Sequence, residues 1–164
     1  MAVSQRDLLR WQFELTWSLF EHHLELLDPA DLLWEPQTPA VFTMRHNGTG
    51  WDRDWPTPEQ EPTGVATAAW LTWHIGWWWT AAVDHVRGNE PREVVWPGPE
   101  LAVEWLRGLR AQWLDVLATA DLEATTGFPW PDGTMSVAHT LAWVNAELMK
   151  NVAEIGQLRR LAAR

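Results

Sequence analysis

Residues 134–161, TMSVAHTLAWVNAELMKNVAEIGQLRRL, are long enough for about seven helical turns at roughly 3.6 residues per turn. Ser136 follows the turn Pro131-Asp132-Gly133 and is placed to cap the helix, because its hydroxyl can accept an orphan backbone N–H; Arg159, Arg160 and Arg164 sit at the carbonyl end, where positive charge is favoured. At about 100° per residue, Leu141, Val144, Leu148 and Ile155 share an apolar arc. Glu147, Lys150, Asn151 and Glu154 fall on an adjoining arc, with Trp143 and Leu161 beyond its two ends. A polar stripe bracketed lengthwise by large apolar groups points to an inward-facing site. The alternative is a surface ladder of i,i+4 contacts, each worth a few tenths of a kcal/mol.

Working outward, the chain of 164 residues is read as one domain, 1–164, large enough to bury a core without covalent staples. It has no cysteine, so disulfides, thiolate metal sites and a cysteine nucleophile are excluded, and any metal must be held by His, Asp, Glu, Asn or water. A formal charge of −10 with dispersed Lys and Arg argues against nucleic acid. No apolar run reaches the roughly 20 residues that span a bilayer, so no membrane partner and a cytoplasmic location are expected. Fifteen tryptophans beside no tyrosine are expected to serve mostly as packing, with a Trp-lined pocket as the sharper reading.

Ser4-Gln5-Arg6-Asp7 has the form of a capping box, and Leu8, Trp11, Leu15, Leu19 and His22 then recur at three- and four-residue spacing, predicting a first helix to about Leu27. Asp31–Trp34 is at most one further turn, and 35–64 is a Pro, Gly and Trp-rich loop expected to pack over one end of the helices. Within it, Asn47-Gly48 is read as a turn. Thr67–Val86 is an almost wholly apolar, central helix with His74 on one face beside Trp70 and Trp78. Burial keeps such an imidazole neutral and requires a partner for each ring nitrogen. A third helix from Pro99 or Glu100 to about Ala120 carries Leu101, Trp105, Leu109, Trp113, Leu114 and Leu117 on one stripe. With no strand-like alternation anywhere, the fold class is all-α, a four-helix bundle with a long loop between its first two helices. Ser136 and His139, three residues apart near a helix start, read as a cap and a surface group rather than as catalytic residues.

The stretch Leu71-Thr72-Trp73-His74-Ile75-Gly76 together with Glu154-Ile155-Gly156-Gln157-Leu158-Arg159-Arg160-Leu161 resembles the DinB/YfiT superfamily. The resemblance covers nearly the whole chain in helix order, although its sharpest motifs are these two stretches. It implies a four-helix bundle with a long crossover, often a homodimer, holding a divalent metal (Zn, Ni, Mn or Fe) in a cavity at one end. It further implies a metal-dependent thiol transferase or hydrolase acting on a small molecule, a low-molecular-weight thiol among them. His74 matches the ligand on the second helix. The family's other two ligands, at i and i+4 on the last helix, fall on Lys150 and Glu154, and an ammonium cannot coordinate while protonated. One repair recruits Glu147, giving His74, Glu147 and Glu154 as the metal set with Asn151 behind them. In the other, no cofactor is needed: Lys150 takes the charge position of the metal, pairs with Glu154 or Glu147, and is supported by Asn151, His74 and Trp N–H groups in a pocket walled by Trp70, Trp78 and Trp143. The second repair is favoured, since a lysine beside a bound cation would repel it. It leaves a metal-free ligand-binding protein, or a bundle that persists as a dimerising module, as alternatives to the enzyme.

Overall fold

The computed structural model describes residues 3–36, 42–55 and 64–163; parts of the 35–64 loop, at 37–41 and 56–63, lie outside the described residues. Four long helices carry the fold: α1 (Gln5–Glu25), α3 (Ala68–Arg87), α4 (Ala102–Thr119) and α5 (Val137–Ala162). Between α1 and α3 lie a single turn, α2 (Pro29–Leu32), and an antiparallel hairpin of β1 (Met44–His46) and β2 (Trp51–Arg53), in which Arg45 pairs with Asp52. The hairpin corrects the expectation of no strand. Its turn is the expected Asn-Gly device, since the Asn47 side chain accepts the Gly50 N–H at 2.9 Å and Gly48 has a φ of +100° that favours glycine.

Short polar side chains set the helix starts. Ser4 accepts the Asp7 N–H at 3.1 Å, Thr67 accepts the Trp70 N–H at 3.3 Å, and His139 Nδ1 accepts the Ser136 N–H at 3.3 Å while lying 2.9 Å from its hydroxyl. Gly88, at φ +68°, ends α3 in the left-handed conformation that a side chain would disfavour. Helix α4 starts two to three residues later than expected, at Ala102, after a turn through Pro99–Leu101 with no side-chain cap.

Each helix packs against two others, α1 and α3 both lying between α4 and α5. The cross-helix contacts fix the directions. Arg6 on α1 donates to the Leu117 and Ala120 carbonyls at 2.6 and 2.7 Å, while Glu14 meets Arg110 at 3.0 Å and Glu21 pairs with Arg107, so α1 and α4 run antiparallel. Asn145 donates to the Leu9 carbonyl at 2.9 Å, and the His23 ring lies against Gly156, so α1 and α5 run parallel. The Trp105 ring fills the place of a side chain at Gly76, and Arg87 meets Asp115 at 2.5 Å, so α3 and α4 are parallel as well. The topology is therefore up, down, down, up.

Parallel neighbours need a chain that returns the full length of the bundle, and the segment between Gly88 and Leu101 supplies it. It climbs α3 in reverse. Arg92 pairs with the buried Asp84 at 2.8 Å, the Val94 carbonyl accepts the Trp73 indole N–H at 3.3 Å, and the Trp96 indole N–H reaches the Thr72 hydroxyl at 3.0 Å. Burial opposes ionisation of Asp84, but the Arg92 hydrogen bonds and charge outweigh it and hold the carboxyl below its usual range.

The apolar patterns are confirmed for α3 and α5: most of α3 is buried, and Leu141, Val144, Leu148 and Ile155 are wholly so. Two stripes are corrected. On α4 the face turned inward is completed by Ala102, Leu106 and Val116, with Leu101 exposed. On α1 the predicted stripe is the wrong one: Leu9, Phe13, Trp17, Phe20 and Leu24 face the core, and Leu8, Trp11, Leu15 and Leu19 face out. Both sets satisfy helical spacing, so periodicity alone could not choose between them. Among the described residues, no helix is long and apolar enough to cross a membrane.

Candidate functional site

At the end of the bundle where α3 begins and α5 ends, a cavity of about 620 Å³ opens between the two helices. Trp70, Leu71 and His74 of α3 form one wall, and Lys150, Asn151, Glu154, Gln157, Leu158 and Leu161 of α5 the other. The chain before α3 closes it with Phe42, Val65 and Ala66. The segment is tied there by backbone: the Thr67 N–H donates to the Phe42 carbonyl at 2.9 Å, and the Thr67 and Thr43 hydroxyls are 3.2 Å apart. The polar arc of α5 thus borders the cavity, with Asn151 buried and Lys150, Glu154 and Gln157 exposed, and Leu161 lies beyond it.

His74 is held by stacking. Its ring lies 4.7 Å from Trp70 at 19° and 6.0 Å from Trp77 at 12°, and Trp70 is itself pinned by its indole N–H to the Asp54 carbonyl at 2.8 Å. Phe42 stacks on the far side of Trp70 at 4.9 Å. Burial, reinforced by the Lys150 charge and opposed by Glu147, pushes the imidazole down to about 4, so it is neutral at pH 7. The expected partner for each nitrogen is missing at one of them: Nδ1 is buried with no hydrogen-bond partner.

Lys150 points its ammonium to Glu147, 2.8 Å away and one turn back on α5, rather than to Glu154. Glu154 lines the cavity at its mouth. Desolvation there pushes its carboxyl above the usual range, with Lys150 opposing and Glu147 adding to the shift. Asn151 is 1 % exposed and lines the same cavity, yet neither its Oδ1 nor its Nδ2 has a partner. It therefore does not buttress the lysine pair, and neither does the Trp70 N–H, which is spent on Asp54.

The sequence-predicted site residues thus divide. His74, Trp70, Lys150, Asn151 and Glu154 come together; Glu147 joins them through Lys150. Trp78 and Trp143 do not line the cavity. Trp78 is fully buried against Trp79, and Trp143 packs at the other end of α5 against Phe128 and Trp130. The ring beside His74 comes instead from Trp77, at i+3 rather than i+4. Gln157 was missed although it shares the polar arc, three residues after Glu154. Val65 carried no signal, because an aperiodic segment does not announce which side chains it turns inward.

Among the described residues no three His, Cys, Asp or Glu are grouped to hold a divalent ion, so His74, Glu147 and Glu154 are not assembled as a ligand set. Glu147 is engaged by an ammonium, and that ammonium would stand beside any cation held by His74 and Glu154. Gly156, part of the motif that carried the resemblance, has a local reason for its identity: a Cβ there would overlap the buried His23 ring on α1.

A family model described as the DinB superfamily matches residues 12–155. No curated protein and no solved structure matches the chain.

Proposed function

The chain belongs to the DinB superfamily, and from that premise we propose that it binds a small amphipathic molecule in the cavity between α3 and α5, without a metal ion. The observation that carries this reading is the Lys150 ammonium, 2.8 Å from Glu147, at the position where the resemblance puts a metal ligand. A fixed positive charge at the polar end of a cavity of about 620 Å³ gives an anionic or strongly accepting head group a place to dock. Trp70, Phe42, Leu158 and Leu161 offer the apolar wall for the remainder of the molecule. A metal-dependent thiol transferase or hydrolase would need a further donor that the geometry does not bring to His74.

Isothermal titration with straight-chain carboxylates, decanoate as the first probe, tests this together with metal analysis of untagged protein. One decanoate per chain is expected, weakened about tenfold in Lys150→Met, in line with the loss of a charge-assisted hydrogen bond at a half-open site. Gln157→Trp, which fills the cavity from an exposed helix position, should abolish binding. The reading is overturned by one tightly held metal per chain that is lost in His74→Ala, or by decanoate binding that neither substitution alters.

A further inference from the structure

Asn145 and Asn151 are both buried on α5, and they differ in what their carboxamides do. Asn145 engages its N–H groups inside the bundle, with the Leu9 carbonyl at 2.9 Å and Gln12 Oε1 at 3.1 Å. Asn151, one to two turns further on and 1 % exposed, has a partner for neither Oδ1 nor Nδ2 among the described residues. A buried amide edge left unpaired is costly, so a native fold rarely keeps one without a use. Other buried side-chain atoms lack a partner too, but those of His23, Trp78, Trp79 and Trp113 lie away from the cavity. Among the described residues, only Asn151 and His74 combine an unpaired buried polar atom with a place in the cavity wall.

The chemistry of that wall selects a ligand. A carboxamide side chain presents a donor and an acceptor on one edge, and only a group with the converse pattern on one edge of its own matches both. A carboxylate matches half, because Oδ1 would face a second oxygen with no proton between them. A trans secondary amide also matches half, since its N–H and C=O point to opposite sides of a planar unit. A primary carboxamide matches both atoms and has one N–H and one lone pair left over. His74, neutral at pH 7, offers an acceptor nitrogen for that N–H, and Lys150 has ammonium protons beyond the one given to Glu147 for the lone pair.

We infer that the cavity recognises a primary carboxamide head group, paired edge to edge with Asn151, with His74 and Lys150 taking its remaining donor and acceptor. The apolar remainder of the molecule lies against Trp70, Phe42 and Leu161. This rests on the cavity being a ligand site without a metal, as proposed above, and specifies the head group, whose carbonyl is the accepting group that Lys150 favours. Both polar atoms of Asn151 are shielded from bulk water, and the soft terminal torsion of asparagine lets its carboxamide turn to a group that enters the cavity.

Isothermal titration with octanamide and 2-nonanone is the test, because the two share chain and carbonyl and differ only in an NH2 replaced by a CH3. The ketone leaves water more readily, so burial alone would favour it. The parent is expected to bind one octanamide per chain, about tenfold more tightly than 2-nonanone, in line with one or two neutral hydrogen bonds. Octanamide should also displace decanoate. In Asn151→Leu, close in volume and verified as folded by circular dichroism, the preference for the amide should vanish or reverse. A reading that needs no variant comes from nuclear magnetic resonance of the parent, in which the side-chain NH2 signals of Asn151 should move on octanamide binding. The inference is overturned if 2-nonanone binds as tightly as octanamide, if the preference survives in Asn151→Leu, if bound octanamide leaves the Asn151 signals in place, or if it does not compete with decanoate. A parent that binds decanoate and not octanamide overturns this inference alone, whereas one that binds neither overturns the ligand-binding reading of the cavity as well.

Discussion

The two halves of the contact between α3 and α5 differ in what fills them. Toward the start of α5, Leu141 and Val144 are wholly buried, Trp143 meets Phe128 at 5.6 Å and Trp130 at 6.2 Å, and His85 of α3 stacks on Phe128 at 5.0 Å. The Thr140 hydroxyl donates to the Phe128 carbonyl at 2.6 Å and closes that end. Toward the end of α5 the corresponding positions are Lys150, Asn151, Glu154 and Gln157, and the Trp70 ring of α3 stacks on His74 of the same helix. The same pair of helices thus makes a packed core at one end and a cavity at the other. Side-chain identity on α5 decides which, since long polar groups are not drawn into the space that an aromatic ring would take.

The most direct way to break this contrast is to remove a side chain from each half. Leu141→Ala is expected to cost about 3 kcal/mol, the usual loss for an enclosed leucine, whereas Leu161→Ala at the cavity rim should cost less than about 1 kcal/mol. Urea denaturation of the two variants compares them, and equal losses would show that the cavity half is as tightly packed as the half around Leu141.

A second test uses acid. The His74 imidazole is held down to about 4 in the folded protein, below its ordinary value near 6.5, so the unfolded chain takes up a proton first as pH falls. The stability it contributes is complete above pH 6.5 and is lost progressively between 6.5 and about 4, by an amount on the order of 3 kcal/mol. Buried His23, lowered chiefly by desolvation and then by Arg159, adds a slope of the same sign. His74→Gln should therefore flatten, without abolishing, the fall in urea midpoint over that range. A slope identical to the parent's would mean that water or a cavity ligand satisfies the ring when it is charged.

The smallest effect is expected at Lys150. Its ion pair with Glu147 is half exposed and spans i,i+3, so Lys150→Met should change stability by no more than about 0.5 kcal/mol while weakening decanoate binding. A large loss of stability would give the pair a structural role and remove it as a docking charge.

Much of the bundle was legible because helix boundaries are local. Ser4, Thr67, Ser136 and Gly88 mark them through hydrogen bonds or a φ value that each residue type supplies for itself. The polar stripe of α5 was legible from helical spacing, and Lys150, Asn151 and Glu154 do border one cavity. What escaped were choices between equivalent faces and distant partners. Trp77 rather than Trp78 stacks on His74 because Trp78 is buried against Trp79, a choice of side-chain direction that the period of α3 does not make. Phe42 reaches the cavity through its backbone pairing with Thr67, 25 residues away in the chain.

Helix α1 states the division most clearly. By itself the sequence determined that a helix follows Ser4 and runs to about Leu27, that an apolar line runs along it at helical spacing, and that an ammonium rather than a third metal ligand stands at position 150. Only the tertiary structure decided which apolar line is core, because the choice follows from how Leu9, Phe13 and Phe20 meet α4 and α5. The parallel course of α3 and α4, held by the returning segment at 92–98, was likewise decided by packing. Local rules give each helix its ends and its periodicity; the rotation of a helix about its own axis depends on neighbours that are far away in the chain.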